Sequence, residues 1–166
     1  DWEGDKPLKI PYEEMILYRA HVRGFTKNPA SRAKDKGTFR ALIEKIPYLK
    51  ELGVTSLELL PVNEFSELMM PEHVDGNPYA VDKPTGKLNY WGYTSGYYFA
   101  PKASYCSGKE KHPVTEFKNL VKTFHKEGLE LIIELYFTGK ENPAFVLDAV
   151  RYWTEEFHVD GVHLVG

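Results

Sequence analysis

The sequence contains a single cysteine, Cys106. An intrachain disulfide is therefore excluded, and no Cys and His cluster has zinc spacing. A reducing compartment is compatible with this usage, and a cytoplasmic location is the expectation. Long apolar runs are missing as well. Nothing approaches the roughly 18 apolar residues of a membrane span, no signal-peptide core stands at the start, and no membrane partner is expected. Charge of one sign is not in excess either. A formal net charge of −3 and a pI near 6.1 give no field that would gather polyanions, which excludes a nucleic-acid binder. The chain opens on DWEGDK without an initiator Met, so it is expected to be a part of something longer.

What is present suits a globular fold: 166 residues, 42% apolar and 27% charged, enough for one domain or part of a larger one. MILYRAHV (15–22) alternates as a strand does, with Ile16, Tyr18, Ala20 and Val22 on one face and Arg19 and His21 on the other. A helix follows in GTFRALIEKIPYLKELG (37–53), with Thr38 as N-cap, Leu42, Ile46 and Leu49 at helical spacing, and Gly53 as its stop. Pro47 should bend or divide it. VTSLELLPV (54–62) is a second strand, with Leu57 and Leu59 opposed to Ser56 and Glu58.

Residues 61–113 interrupt this rhythm with six prolines and many aromatics, too long a stretch for an ordinary connection and therefore a candidate functional or mobile loop. Beyond it, VTEFKNLVKTFHKEG (114–128) reads as a helix burying Phe117, Leu120, Val121 and Phe124 and stopped by Gly128. LELIIELYF is a third strand. After the turn TGKENP, where Asn142 caps and Pro143 takes the first helical position, a helix with Val146, Val150, Trp153 and Phe157 as its stripe leads to GVHLV, a fourth strand.

Four strands alternating with three helices predict an α/β fold with a parallel sheet and right-handed crossovers. Each strand is polar on one face. A doubly wound sheet covers both faces and reads almost continuously apolar, whereas a (β/α) barrel turns one face to an interior that holds polar side chains. The expectation is a partial barrel, about the first four of eight strands. Arg19, His21, Glu58, Glu134 and His163 should form an interior layer of partnered charges. In a chain that ends there, two sheet edges stay unpaired, and a homodimer through those edges is expected.

The stretches YRAHVRGF, IPYLKELGVTSLELLPV, NYWGYTSGYYFAP, EFKNLVKTFHKEGLELII and RYWTEEFHVDGVHL, in this order, resemble glycoside hydrolase family 13, in its pullulanase, isoamylase and glycogen-debranching branch. The resemblance runs from about Tyr12 to the last residue. It implies an eight-stranded barrel of which residues 1–166 are the N-terminal half, an α-glucan as substrate or partner, and a retaining mechanism with an Asp nucleophile after the fourth strand. A Glu acid/base after the fifth strand and an Asp after the seventh would lie beyond this chain.

Residue by residue, the resemblance also exposes departures. The family's fourth-strand pattern resembles DGFRFD; setting Asp160 and Gly161 on its first two letters puts His163 at the Arg and Val165 at the nucleophile. Asp160 does not replace it. Five residues away, it lies on the opposite face and roughly 16 Å down the strand, whereas retaining chemistry needs two carboxyl groups about 5 to 5.5 Å apart. The third-strand pattern, similar to DVVYNH, is here Glu134 to Gly139, without its Asn and sugar-contacting His, and TGKEN replaces a long excursion. Arg19 stands where relatives commonly carry Glu. Losing a nucleophile in another hydrolase costs about a million-fold, about 8 kcal/mol of barrier, so no hydrolysis is expected.

Glu134 and His163 should face inward on adjacent strands, as a carboxylate and imidazole pair that is either a pH-sensitive contact or a satisfied buried couple. Tyr93 is the residue the resemblance assigns to an aromatic platform for sugar, with Tyr90 and Trp91 beside it. The competing reading packs these rings on the barrel rim, and it is preferred for Trp91 and Tyr98. His112, His125 and His158 read as exposed or capping residues. No metal or other cofactor is expected, Ca2+ included, because Thr138 occupies the Asn position of the third-strand motif. Three functions remain: a degenerate hydrolase, a non-catalytic glucan-binding or protein-binding module, and an enzyme with an unusual catalytic arrangement.

Overall fold

A computed structural model describes residues 2–68, 86–109 and 112–166. Its main sheet is parallel, with four strands in the order β1 (Leu17–Ala20), β2 (Ser56–Leu59), β5 (Glu130–Tyr136) and β6 (Gly161–Val165). Between β2 and β5 lies a second, antiparallel pair, β3 (Asn63–Glu64) and β4 (Tyr97–Pro101). The long segment 61–113 thus carries strands of its own; its residues 69–85 and 110–111, with Pro71, Pro78 and Pro84, lie outside the described residues.

The first strand is shorter than its alternation suggests. β1 stops at Ala20 because His21 caps a helix, α1 (Val22–Lys27), its Nδ1 accepting from the backbone N–H of Arg23 and of Gly24 at 3.1 Å each. Val22 therefore begins a helix, and His21 leaves the strand's polar face. The next helix divides where expected: α2 (Phe39–Ile43) opens on Thr38, whose hydroxyl accepts from Ala41 N–H, and α3 (Ile46–Glu51) carries Pro47 in its first turn, where no donor is needed.

α4 (Pro113–Lys126) and α5 (Pro143–Glu156) both begin on proline behind a capping side chain, His112 and Asn142. Gly128 ends the first in a left-handed conformation, φ +77°, and the Leu129 N–H reaches back to the Phe124 carbonyl at 2.9 Å.

Helices cover one face of the sheet. Leu57, Leu59, Leu131, Ile133 and Leu135 point into that layer, where Phe39, Phe117, Phe124, Trp153 and Phe157 are buried. Each such side chain contributes about 1.5–3 kcal/mol, and the rings meet edge to face, Phe39 on Phe117 at 5.1 Å and Phe117 on Trp153 at 5.3 Å. On α5, Ala149 is fully buried, while Val146 and Val150 are half-buried. The sheet's other face carries Arg19, Glu58, Glu134 and His163. One apolar face under helices and one polar face is the division a barrel wall requires. Among the described residues, no helix is long and apolar enough to cross a membrane.

Candidate functional site

The polar face gathers near the C-terminal ends of the strands, and its register follows from the pairing: Arg19 lies beside Glu58, and Glu134 beside His163. Arg19 forms an ion pair with Glu134 through Nε and lies 3.5 Å from Glu58 Oε1. Tyr93 closes the group from the segment before β4, donating from its hydroxyl to Glu134 Oε2 at 2.7 Å and accepting from Arg19 Nη2. His163 Nδ1 sits 2.9 Å from Glu58 Oε1.

Glu134 and His163 therefore are neighbours facing inward, but they are not each other's partners. The carboxylate goes to Arg19 and Tyr93, and the imidazole goes to Glu58, because Arg19 reaches across β2 and supplies the positive charge that Glu134 needs.

This arrangement sets the electrostatics. Glu134 is fully buried, which alone would raise its pKa, yet the hydrogen bonds from Arg19 and Tyr93 outweigh burial and hold the carboxyl below its ordinary value. Arg19 is correspondingly raised, first by its hydrogen bond to Glu134. Burial, and then the bond to Glu134, push the Tyr93 phenol up to about 12. The group is thus an ionised carboxylate locked by a guanidinium and a protonated phenol, and Glu134 is neither a proton donor nor free to attack.

One oxygen of Glu58, one of Glu134 and a ring nitrogen of His163 lie within 4.8 Å of one another, the donor set of a divalent cation. Arg19 already occupies the cationic role there, however, and both Glu134 oxygens are committed to it and to Tyr93. An ion would have to displace the guanidinium, so the residues do not fit a resident metal.

Val165 closes β6 opposite Tyr136, and its carbonyl accepts from Phe137 N–H at 2.8 Å. A shallow cleft of about 160 Å³ beside it is lined by Phe137, Gly139, Val146, Leu164, Val165 and Gly166, with no carboxylate side chain. Asp160 lies at the other end of β6, where its Oδ2 accepts from Leu131 N–H at 2.8 Å and contacts His125 Nε2 at 2.9 Å. It serves the sheet's lower rim.

The aromatics separate into different roles. Tyr90 lies flat on His21 with ring centroids 4.1 Å apart, its carbonyl accepting from His21 Nε2 at 2.7 Å. Burial lowers the pKa of His21 and leaves it a neutral ring that accepts at Nδ1 and donates at Nε2. Trp91 is 58% exposed and meets Tyr90 and His21 edge-on. Tyr98 is buried, stacks on Phe137 at 4.7 Å and donates to the Tyr136 carbonyl at 2.8 Å. Tyr93 is half-buried, with its hydroxyl inside the ion-pair group.

Sequence reasoning missed two side chains. Lys102 is buried and joins β3 to β4, bonding Glu64 Oε1 at 2.9 Å and the Phe65 carbonyl at 2.8 Å beneath the Phe65 ring. His125 is buried between two aspartates rather than exposed or capping. The apolar stripe of α4 gave no hint of this, since the partners of His125 are remote in sequence.

No protein-family model matches the chain. Similar proteins include isoamylase 1, chloroplastic, of Arabidopsis thaliana, 32% identical over 209 residues, covering 97% of this chain and 26% of the relative. The glycogen operon protein GlgX homolog of Haemophilus influenzae is 32% identical over 208 residues, covering 97% and 30%. Among solved structures, pullulanase type I from Bacillus subtilis, complexed with maltose, superposes with a TM-score of 0.72 at 25% identity, over 97% of this chain and 28% of that one. The chain thus spans roughly a quarter to a third of these relatives. Alignments of 208 and 209 residues exceed the chain's own 166, so the relatives carry insertions that it lacks, in keeping with its short TGKEN turn. With the parallel sheet, the inward polar face and this similarity along nearly its whole length, the chain belongs to the pullulanase, isoamylase and glycogen-debranching branch of glycoside hydrolase family 13, of whose members it represents a segment.

Proposed function

We propose that this chain is a non-hydrolytic, α-glucan-associated segment corresponding to the N-terminal half of a family 13 barrel. The observation that carries the reading is Val165: at the end of β6, where the resemblance places the nucleophile, the side chain is a hydrocarbon and the adjoining cleft is lined by no acidic side chain. Glu134 does not compensate, being buried and held ionised by Arg19 and Tyr93.

The polypeptide is expected to release no reducing sugar from pullulan or glycogen above the buffer rate. Release by the wild-type chain that Val165→Asp leaves unchanged would overturn the assignment of Val165. Glucan binding is the companion expectation, suggested by the maltose complex of the similar pullulanase. Affinity electrophoresis in glycogen should show retardation, weakened by Tyr93→Ala by about two- to tenfold if stacking contributes roughly 0.5–1.5 kcal/mol. Unretarded migration of both proteins would instead favour a protein-binding module.

A second reading has one observation in its favour. Glu58 and Glu134 are two carboxylates on neighbouring strands of the inner face, with oxygens within 4.8 Å of each other, and a retaining glycosidase works with a carboxyl pair. Both are buried and partnered, which argues against their reaching a sugar. If hydrolysis were found and Glu58→Gln and Glu134→Gln each abolished it, this reading would replace the first. β1 and β6 are the outer strands of the main sheet among the described residues, and we propose that a second copy of the chain pairs with those edges in a homodimer. A scattering mass of one chain at micromolar concentration would contradict that.

A further inference from the structure

At the end of the sheet opposite Val165, four ionisable side chains meet that no catalytic reading uses. His125, on the last turn of α4, is buried with Nδ1 at 2.8 Å from Asp5 Oδ1 and Nε2 at 2.9 Å from Asp160 Oδ2. Asp5 belongs to the segment before β1, and its other oxygen lies 2.9 Å from His158 Nδ1. Trp2 stacks on that second imidazole at 3.8 Å, and the Ile10 N–H donates to Glu130 Oε1 at 2.9 Å. Residues 2–10 therefore form a strap fastened to α4, to the start of β5 and to the turn before β6.

A neutral imidazole has one N–H and one lone pair, so it cannot donate to two carboxylates. Either His125 is an imidazolium or one aspartate holds a proton. Asp5 contacts an imidazole nitrogen with each of its oxygens. Asp160 Oδ2 also accepts from the Leu131 N–H, and its Oδ1 is buried without a partner, so a proton on Oδ1 would find no acceptor. With both aspartates ionised, the arrangement that satisfies both contacts of the ring has a proton on each nitrogen. We propose that His125 is a proton-operated clasp, which as an imidazolium bridging Asp5 and Asp160 holds the strap of residues 2–10 against the lower end of the sheet and releases it on deprotonation.

The surroundings agree. Burial lowers the ring's affinity for its proton, and the hydrogen bonds and charges of Asp160 and Asp5 more than reverse this, so its pKa is raised above the ordinary 6.5. The other charged groups facing the clasp are Glu3 and Lys6 on the strap, Lys122 and Lys126 of α4, which pair with Glu3, Glu130 of β5, and His158 after α5. Because folding raises the pKa, the clasp contributes fully below the unfolded value near 6.5 and is lost as the pH climbs through the folded value. It lies apart from the glycosidase-like site, so its test is independent of the function proposed there.

The test is nitrogen NMR of the His125 ring together with amide hydrogen exchange of residues 2–10, from about pH 6 to 9, on the 166-residue chain. Both ring nitrogens should be protonated at about pH 6.5. Strap protection, corrected for intrinsic exchange, should then fall with the His125 titration, by about tenfold for each unit by which folding raises its pKa. His125→Gln should leave the strap weakly protected at every pH. Should that variant not fold, Asp5→Asn removes one carboxylate without touching α4 and should move the His125 midpoint downward. A single neutral tautomer at the low end of that range, pH-independent strap protection, or an unchanged midpoint in Asp5→Asn would each overturn the proposal.

Discussion

Replacing Arg19 by Met tests the electrostatics of the inner face. The substitution keeps the aliphatic stem and removes the charge that faces Glu134, which is fully buried, and Glu58, which is nearly so. Stripping one partner from a buried ion pair costs roughly 3–5 kcal/mol, because the charge left behind has lost its solvation and gained nothing. Arg19 is 51% exposed, so solvent already screens part of the attraction, and the expected loss is about 2–3 kcal/mol. The pH dependence is the sharper readout. In the wild type, Glu134 is held below its ordinary 4.5, so its contribution is present above that value and lost as the pH falls through the folded pKa. Without Arg19, burial dominates and raises the pKa, so the variant should lose stability as the pH rises. Urea unfolding at about pH 5 and pH 8 measures both. The double variant Arg19→Met/Glu134→Leu should recover most of the loss, since it removes the stranded charge as well. A loss below about 0.5 kcal/mol, with the same pH slope as the wild type, would refute this reasoning.

Two further outcomes follow from local geometry. Tyr93→Phe removes the donor to Glu134 Oε2, leaving a buried acceptor unsatisfied; thermal or urea unfolding should register about 1–3 kcal/mol. Gly92→Ala places a methyl 2.6 Å from the Phe65 ring at a residue with φ +80°, and should destabilise the chain by about 1–3 kcal/mol, whereas Gly86→Ala, with φ +78° and open space around it, should lose only the backbone strain.

What could be read from the sequence was what neighbouring residues decide. Thr38, Pro47, Gly53, Asn142 with Pro143, and Gly128 act within a turn of where they stand, and each performs the capping, dividing or stopping role its chemistry suggests. The inward polar face was legible for the same reason, since alternation in a strand is local. Which charge met which was not. The order β1, β2, β5, β6 is the consecutive one that a barrel implies, but that Arg19 pairs with Glu134 across β2 depends on side-chain reach, which no local pattern states. His21 concealed the end of β1 because Val22 prolongs the apolar alternation and histidine is outside the usual set of capping residues. His125 concealed its role because Asp5 and Asp160 are 120 and 35 residues distant. Val165 was readable only against the motif it interrupts.

If the hydrocarbon side chain of Val165 ends the catalytic line of descent, no group at the end of β6 can form a bond to an anomeric carbon. Intact-mass spectrometry after incubation with an activated fluorinated maltosyl donor, of the kind that accumulates glycosyl-enzyme intermediates, tests this most directly. The wild-type chain should keep its unmodified mass. A mass increase of one glycosyl unit, mapped to any carboxylate of this polypeptide, would contradict it.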